Sequence, residues 1–158
     1  VSILVFDLET NGLLREVSKV HCGAIIDVQT KEEFFYDPSG IEELLGKLKD
    51  SSCLIGHNVV GYDLRVLEKL YGFKYEGAVF DTYVLSRLLN PEGRDHSLEA
   101  WGSRLKEPKG VYTGGWEEYN PEMKKYNIQD TRVNLKLFWY FVEKLKWGEL
   151  IKEYSNAA

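Results

Sequence analysis

Residues 5–14 read VFDLETNGLL and decide how the chain begins to fold. The apolar run at residues 3–6 predicts a buried strand, which leads directly into Asp7 and Glu9, two acids separated by one residue. Successive side chains of a strand point to opposite faces, so both carboxylates point the same way at the predicted end of this strand. Like charges side by side repel each other unless a cation lies between them. The stretch therefore suggests a bound cation.

Composition sets the broad class of the protein. The chain has 158 residues, of which 44% are hydrophobic and 13% aromatic, which predicts one globular domain over 1–158. The net charge of −5 opposes a broad basic surface for nucleic acid. No signal peptide is recognisable and no apolar run reaches the roughly 20 residues of a membrane span, so we expect a cytoplasmic protein. Cys22 and Cys53 lack metal-site spacing and are expected to be buried free thiols.

The order of periodicities predicts an α/β fold. Strands are predicted over 3–7, 21–28, 33–36, 53–56 and 78–80, and the first three form an antiparallel run. Helices are predicted from a Ser39 cap through Leu48 and over 64–70, 82–89, 97–105 and 121–145, with a further helix or tail over about 146–158. Strands that come first and then alternate with helices imply a mixed sheet flanked by helices.

Two further acids belong with the opening pair. Asp63 follows the fourth predicted strand at the start of a helix, and functional groups of α/β sheets gather at such places. Asp130 lies in YNIQD, on a helix face that its apolar neighbours turn inward. Oxygen ligands without His or Cys suit Mg²⁺ or Mn²⁺, and two such ions about 4 Å apart serve phosphoryl transfer. Tyr126, one helical turn before Asp130, can orient an attacking water.

Each of these residues also has a structural interpretation. Taken alone, Asp7 and Glu9 are more readily solvated or capping acids, and Asp63 can cap the helix at residue 64. Tyr126 on an inward helix face is more often part of the core than of a catalytic site. No single residue therefore establishes a function.

In their order along the chain, FDLETNG, HNVVGYDLRVL and YNIQD resemble the three motifs of the DEDD superfamily of 3′-to-5′ exonucleases, which has a ribonuclease-H-like fold with a five-stranded sheet. A tyrosine four residues before the last aspartate is similar to the DEDDy branch, because the DEDDh branch has a histidine where this chain has Lys125. LLREVSKVHCGAIIDVQT, FDTYVLSRLL and HSLEAWGSRL further resemble the proofreading exonuclease domain of family A DNA polymerases of T-odd phages.

The resemblance implies roles for individual residues. The implied ligands of two Mg²⁺ or Mn²⁺ ions are Asp7, Glu9, Asp63 and Asp130, and Tyr126 joins them as a catalytic residue. The implied substrate contacts are Thr10, Asn11 and Leu13 after the first motif and His57 and Asn58 before Asp63. Beyond the motifs, phosphate contacts are considered for Arg94, His96, Lys106 and Lys109, stacking on unpaired bases for Tyr112, Trp116 or Tyr119, and a helix-capping role for Asp81.

The expected function is metal-dependent 3′-to-5′ hydrolysis of single-stranded or frayed DNA ends to nucleoside 5′-monophosphates. Such a proofreading-type enzyme would be free-standing or would work with a DNA polymerase in cis or in trans, in the cytoplasm of a bacterium or a phage-infected host. Three alternatives stay open: a DEDDy exoribonuclease, a catalytically silent nucleic-acid-binding module, and a structural domain of a replisome whose acids are solvated.

Overall fold

The computed structural model describes residues 2–93 and 95–145 of the chain. Its strands are β1 (Ile3–Thr10), β2 (Val20–Asp27), β3 (Glu33–Tyr36), β4 (Cys53–Gly56) and β5 (Ala78–Asp81). Its helices are α1 (Ile41–Lys49), α2 (Asp63–Tyr71), α3 (Thr82–Leu89), α4 (Leu98–Arg104) and α5 (Pro121–Leu145). The helix or tail predicted over about 146–158 lies outside the described residues.

The five strands form one mixed sheet in the order β3-β2-β1-β4-β5. β2 pairs antiparallel with both β1 and β3, whereas β4 pairs parallel with β1 and β5 pairs parallel with β4. Each parallel strand is reached through a helical connection, as parallel pairing requires. The predicted fold class, with an antiparallel run followed by parallel additions, is therefore confirmed.

The alternation of side chains along β1 divides them between two cores. Leu4, Phe6 and Leu8 pack in the core that lies under α1 and α2. Val5 packs in the opposite core, where Val133 and Leu137 of α5 cover the sheet. Because Asp7 and Glu9 continue the alternation of Val5, they belong to the face that α5 covers. The period of two in β1 thus directs both acids toward the helix that carries Asp130.

The predicted end of β1 was wrong. The strand continues beyond Asp7 through Thr10, and Glu9 pairs with Cys22 of β2. The register then shifts between Glu9 and Thr10. The acids are therefore inside a hydrogen-bonded strand rather than at its end, which fixes their backbone more firmly than a loop would.

The start of α1 also differs from the prediction that Ser39 caps it. Residues 38–40 form a 3₁₀ turn, and the Asp37 carboxylate accepts a hydrogen bond from the Ser39 backbone N–H at 2.9 Å. The residue at the cap of α1 is Gly40, which has no side chain to cap with. Asp37 precedes the turn and can satisfy its first free N–H groups, which is why it takes the capping role.

Other predicted helix ends are confirmed. α2 ends at Gly72, which has a positive φ of 64° and closes the helix in the left-handed conformation that glycine adopts without strain. Ser97 caps α4 by accepting a hydrogen bond from the Ala100 N–H at 3.1 Å. Asp81 caps α3 by accepting from the N–H groups of Tyr83 and Val84, as its structural interpretation predicted.

Within residues 2–93 and 95–145, none of the helices is both long and apolar enough to cross a membrane. Cys22 is buried and Cys53 is half-buried, and both are free thiols. The expectation of free cysteines is therefore confirmed, although Cys53 is less buried than expected.

Candidate active site

Three of the predicted acids come together on the face of the sheet that α5 covers. Carboxylate oxygens of Asp7, Glu9 and Asp130 all lie within 4.8 Å of one another. Glu9 and Asp130 are buried and Asp7 is half-buried. Residues far apart in sequence meet here because β1 runs through the middle of the sheet and α5 packs against it.

Asp63, the fourth predicted acid, lies beside this cluster rather than in it. It is the first residue of α2 and is buried, with 5% of its surface exposed. The pKa of Asp63 is raised, mainly by burial and then by the negative charge of Asp7. A hydrogen bond from the backbone of Leu8 partly opposes this rise. Asp63 thus lies next to the β1 segment that carries the other two motif acids.

Burial raises the pKa of every acid in the site, and repulsion by a neighbouring carboxylate adds to it at Glu9, Asp63 and Asp130. Burial raises the pKa of Asp7 to about 6 against the opposing effect of Lys109. Burial and the charge of Asp7 raise that of Asp130 to about 7. Burial, followed by the charges of Asp7 and Asp130, also raises the pKa of Glu9. The fold therefore holds these carboxylates where their ionised forms are disfavoured.

A lysine and a tyrosine lie next to Asp130. The Lys109 ammonium donates to Asp130 Oδ2 at 3.0 Å and to the Tyr126 hydroxyl at 3.2 Å. Burial, followed by the charge of Asp130, raises the pKa of Tyr126, so its phenol stays protonated at neutral pH. Tyr126 and Asp130 lie one turn apart on α5, as their spacing predicted.

Asn127 fixes the position of Asp7. Its side-chain amide donates to the Asp7 backbone carbonyl at 3.1 Å and to Asp7 Oδ2 at 2.8 Å. Asn127 is fully buried and belongs to α5, so these two hydrogen bonds join the helix to β1 at the carboxylate cluster. Asn127 was not predicted from the sequence, although the spacing of polar residues could have indicated it. Asn127, Asp130 and Asn134 recur at helical spacing and are buried on an otherwise apolar face.

The predicted substrate contacts fall into two groups. Three have side chains already bonded within the fold. Asn11 accepts from the N–H groups of Ser18 and Lys19, both at 3.0 Å, and the Thr10 hydroxyl is bonded to that of Tyr62 at 2.5 Å. Both ring nitrogens of His57 are also engaged, one with Thr82 Oγ1 at 2.9 Å and one with the His96 carbonyl at 2.8 Å.

The other two predicted contacts are open to solvent. Leu13 is 75% exposed and lies in the loop that joins β1 to β2. Asn58 is exposed and has a positive φ of 63°, and its backbone N–H donates to Asp81 at 2.9 Å. Leu13 and Asn58 are therefore the predicted contacts whose side chains remain available to a ligand.

The loop between α4 and α5 brings aromatic rings to the site. The rings of Tyr112 and Trp116 lie 5.8 and 6.1 Å from the ring of Tyr126. Trp116 is 39% exposed, and its backbone carbonyl lies 2.6 Å from Nε2 of His21 on β2. Tyr119 lies against Phe35 of β3 instead, at 6.5 Å between ring centroids. Of the three aromatic candidates, Tyr112 and Trp116 are thus the two that contact Tyr126.

The donor set fits a hard divalent cation. Asp130 Oδ1 is buried and has no hydrogen-bond partner, although its sister oxygen is paired with Lys109. An unpaired buried carboxylate oxygen is costly unless a cation satisfies it. The neighbouring donors are carboxylate oxygens, which bind Mg²⁺ and Mn²⁺ well.

These raised pKa values predict how stability depends on pH when metal is chelated. An unfolded carboxyl group has a pKa of about 4, so between about pH 4 and 7 the folded chain binds more protons than the unfolded chain. The free energy of unfolding then falls as the pH rises through the folded pKa values of about 6 for Asp7 and about 7 for Asp130. We expect the melting temperature in EDTA to drop by about 5 °C or more between pH 5 and pH 8.

Differential scanning fluorimetry with and without Mn²⁺ tests this expectation. Mn²⁺ binds the ionised carboxylates, and more of them are ionised at pH 8 than at pH 5. The ion should therefore stabilise the chain more at pH 8. A melting temperature in EDTA that rises over this range would contradict the assigned pKa shifts.

The chain is similar to known proteins in sequence and in fold. No protein-family model matches the chain. The DNA-directed DNA polymerase of Escherichia phage T7 is 31% identical over 182 aligned positions, covering 85% of this chain. The chain spans about a quarter of the length of that polymerase, since the match covers 26% of it.

Solved structures share the fold. NrnC of Brucella melitensis bound to pGG superimposes with a TM-score of 0.72 at 22% identity, covering 97% of this chain and 78% of that one. NrnC has also been solved with bound Mg²⁺, at a TM-score of 0.71. Exonuclease X in complex with 5′ overhanging duplex DNA gives 0.64 at 20% identity, covering 92% of this chain and 93% of that one. The chain is thus similar in sequence to part of a phage DNA polymerase and shares its fold with these nucleases.

Proposed function

We propose that this chain is a metal-dependent 3′-to-5′ exonuclease that hydrolyses single-stranded or frayed DNA ends to nucleoside 5′-monophosphates. The observation that carries the proposal is the convergence of Asp7, Glu9 and Asp130 within 4.8 Å, with Tyr126 one helical turn from Asp130. DNA as the substrate is supported by the homology to a phage DNA polymerase. The same homology supports a polymerase partner in cis or in trans and action in a bacterial or phage-infected cytoplasm.

The proposed cofactors are two Mg²⁺ or Mn²⁺ ions. Their residues would be Asp7, Glu9 and Asp130, with Asp63 beside Asp7 as the fourth ligand. When bound, such ions activate a water and stabilise the charge that develops on the phosphate and the leaving oxygen. The unpaired Asp130 Oδ1 and the raised pKa values both favour a divalent cation at this place.

The residues of the chain position the reacting groups. Asn127 donates to both the carbonyl and the carboxylate of Asp7, which restricts that carboxylate to one orientation. The protonated phenol of Tyr126 can orient a water by hydrogen bonding but is a poor general base. Asp130 fixes one end of the site on α5 while β1 fixes the other. The reaction thus depends on positioning more than on proton transfer by a side chain.

The surface next to these residues suits an unpaired strand. Leu13 is exposed in the loop after β1, and the rings of Trp116 and Tyr112 lie against Tyr126. Bases stack on such aromatic rings without regard to sequence, and stacking requires that the base has left its duplex. This supports frayed or single-stranded ends over paired ones.

An exoribonuclease is the second candidate function. It is favoured by the similarity to NrnC, whose structure with pGG superimposes on this chain at a TM-score of 0.72. Discrimination between the two depends on a contact to the 2′-hydroxyl, which an RNA enzyme would require.

Digestion of matched oligonucleotides separates these candidates. A 5′-labelled single-stranded DNA and an RNA of the same sequence are incubated with the chain, with Mn²⁺ or with EDTA. The proposed enzyme shortens the DNA from its 3′ end only with metal and acts on RNA more slowly. Faster shortening of RNA would assign the exoribonuclease instead.

A label at the opposite end tests direction and product. With the label at the 3′-terminal nucleotide, the first product released should be the labelled nucleoside 5′-monophosphate. If the oligonucleotides stay intact under all conditions while the chain still binds single-stranded DNA, the chain is the catalytically silent module. That result would overturn the proposal.

A further inference from the structure

Lys109 is the cation that directly contacts the carboxylate cluster. Among the ion pairs of residues 2–93 and 95–145, the pair between Lys109 and Asp130 is the one that includes a cluster acid. Its ammonium donates to Asp130 Oδ2 at 3.0 Å and to the Tyr126 hydroxyl at 3.2 Å. The side chain of Lys109 is only 21% exposed, so the pair is shielded from water and salt more than a surface pair would be.

The backbone around Lys109 is fixed by hydrogen bonds rather than left free. The Gln129 side chain on α5 donates to the Pro108 carbonyl at 2.8 Å, and the Glu107 N–H donates to the Gly102 carbonyl at 2.9 Å. A Cβ added at Gly102 would lie 2.7 Å from the Glu107 carbonyl oxygen, so this approach of the loop to α4 depends on glycine. Lys109 therefore reaches Asp130 from a segment that α4 and α5 hold in place.

The contact divides the two oxygens of Asp130 between two tasks. Oδ2 accepts from Lys109, whereas Oδ1 is buried and has no partner. A hydrogen bond to one oxygen fixes the orientation of a carboxylate and leaves the other available, as partners of ligands do in many metal sites. The same ammonium also donates to Tyr126, which directs the phenolic hydrogen away from Lys109.

We propose that Lys109 is the resident counter-ion of the carboxylate cluster and a positioning residue for Tyr126. It partly neutralises the acids while the cluster binds no divalent cation, opposes the binding of that cation by charge repulsion, and holds the Tyr126 hydroxyl in place for hydrolysis. This inference rests on the proposed function. It predicts that removal of the Lys109 charge changes metal binding and turnover in opposite directions.

The test replaces Lys109 by methionine, which preserves the length of the chain without its charge. Removal of the positive charge that contacts Asp130 should tighten the Kd for Mn²⁺ about tenfold, because a neighbouring cation repels a divalent ion even under water-like screening. The melting temperature in EDTA at pH 8 should fall by about 5 °C, since Asp130 loses its partner. The kcat at saturating Mn²⁺ should fall about tenfold as Tyr126 loses its donor.

Lys74→Met is the matched control, because Lys74 is exposed between α2 and β5 and the change in net charge is identical. It should leave the Mn²⁺ affinity measured by calorimetry, the melting temperature and the kcat unchanged. Lys109→Arg retains the charge and should restore the wild-type Mn²⁺ affinity. If Lys109→Met does not fold in EDTA, Lys109→Gln supplies the same comparison with a neutral hydrogen-bond donor.

Unchanged or weaker Mn²⁺ binding by Lys109→Met would overturn the inference. So would equal Mn²⁺ affinities of Lys109→Met and Lys109→Arg, because the effect would then not arise from charge. These outcomes differ from a failure of the proposed function, in which the wild-type chain itself neither binds Mn²⁺ nor shortens DNA.

Discussion

Replacing Asp7 by asparagine is expected to reduce the rate of DNA hydrolysis by about 10³-fold or more, because it removes a charged ligand from the centre of the proposed metal site. Asp7 is close to each of the other acids. Its carboxylate oxygens lie within 4.8 Å of those of Glu9 and Asp130, and its charge raises the pKa of Asp63. The substitution conserves shape, so Asn127 can still bond to the residue at this position through the backbone carbonyl.

The same variant should not be destabilised when metal is chelated. Burial raises the pKa of Asp7, which means that its ionised form costs folding free energy at neutral pH, and the neutral amide avoids this cost. We therefore expect a melting temperature in EDTA at pH 8 equal to or above that of the wild type. Loss of activity accompanied by a lower melting temperature would indicate misfolding and would weaken the assignment of Asp7 as a ligand.

Asp50→Asn is the matched control for Asp7→Asn. Asp50 is exposed at the C-terminal end of α1, and its substitution changes the net charge by the same amount. Rates are measured on the 5′-labelled DNA oligonucleotide with Mn²⁺. Retention of more than a tenth of the wild-type rate by Asp7→Asn would contradict a metal-ligand role for Asp7.

Replacing Tyr126 by phenylalanine is expected to lower kcat by about 10²-fold and to leave the Kd for Mn²⁺ within about twofold, because a positioned hydrogen bond acts in the reaction but not in metal binding. The ring contacts of Tyr126 with Tyr112 and Trp116 should survive, since phenylalanine keeps the ring. The substitution therefore tests the hydroxyl alone.

Tyr119→Phe serves as the control for Tyr126→Phe. Tyr119 lies just before α5, the helix that carries Tyr126, but its ring lies against Phe35, so loss of its hydroxyl should leave kcat unchanged. Single-turnover rates at saturating Mn²⁺ separate the chemical step from product release. Equal rates for Tyr126→Phe and the wild type would remove the phenol from the mechanism and leave Tyr126 as a packing residue.

Much of the fold and the acidic part of the site follow from local patterns. The period of two in β1 and the helical period of α5 are strong signals, and they correctly place Asp7 and Glu9 opposite Asp130. The end of β1 was not predictable in this way, because the acids interrupt its apolar run while the backbone pairing with β2 continues to Thr10. Pairing with a distant strand determines that boundary.

The polar contacts were harder to predict because they depend on long-range partners. The candidate substrate residues Asn11 and His57 have their polar atoms engaged by Lys19, Thr82 and other groups that sequence spacing does not reveal. Lys109 lies in a loop without periodicity, so the sequence indicated only a basic residue that could meet phosphate. The hydrogen bonds of Gln129 and Gly102 to its neighbours are what direct it to Asp130.

The alternation along β1 has a consequence for how this protein can change over time. Leu4, Phe6 and Leu8 fill one core, while Asp7 and Glu9 face α5. The same alternation of side chains therefore serves both the packing of the core and the carboxylate site. Deletion or insertion of a single residue within residues 4–8 would turn the acids toward the hydrophobic core under α1 and α2, and the leucines toward Asp130. Selection should therefore remove insertions and deletions in this strand because they unfold the protein, whatever their effect on catalysis. Point substitutions, in contrast, can yield a variant that is inactive but still folded.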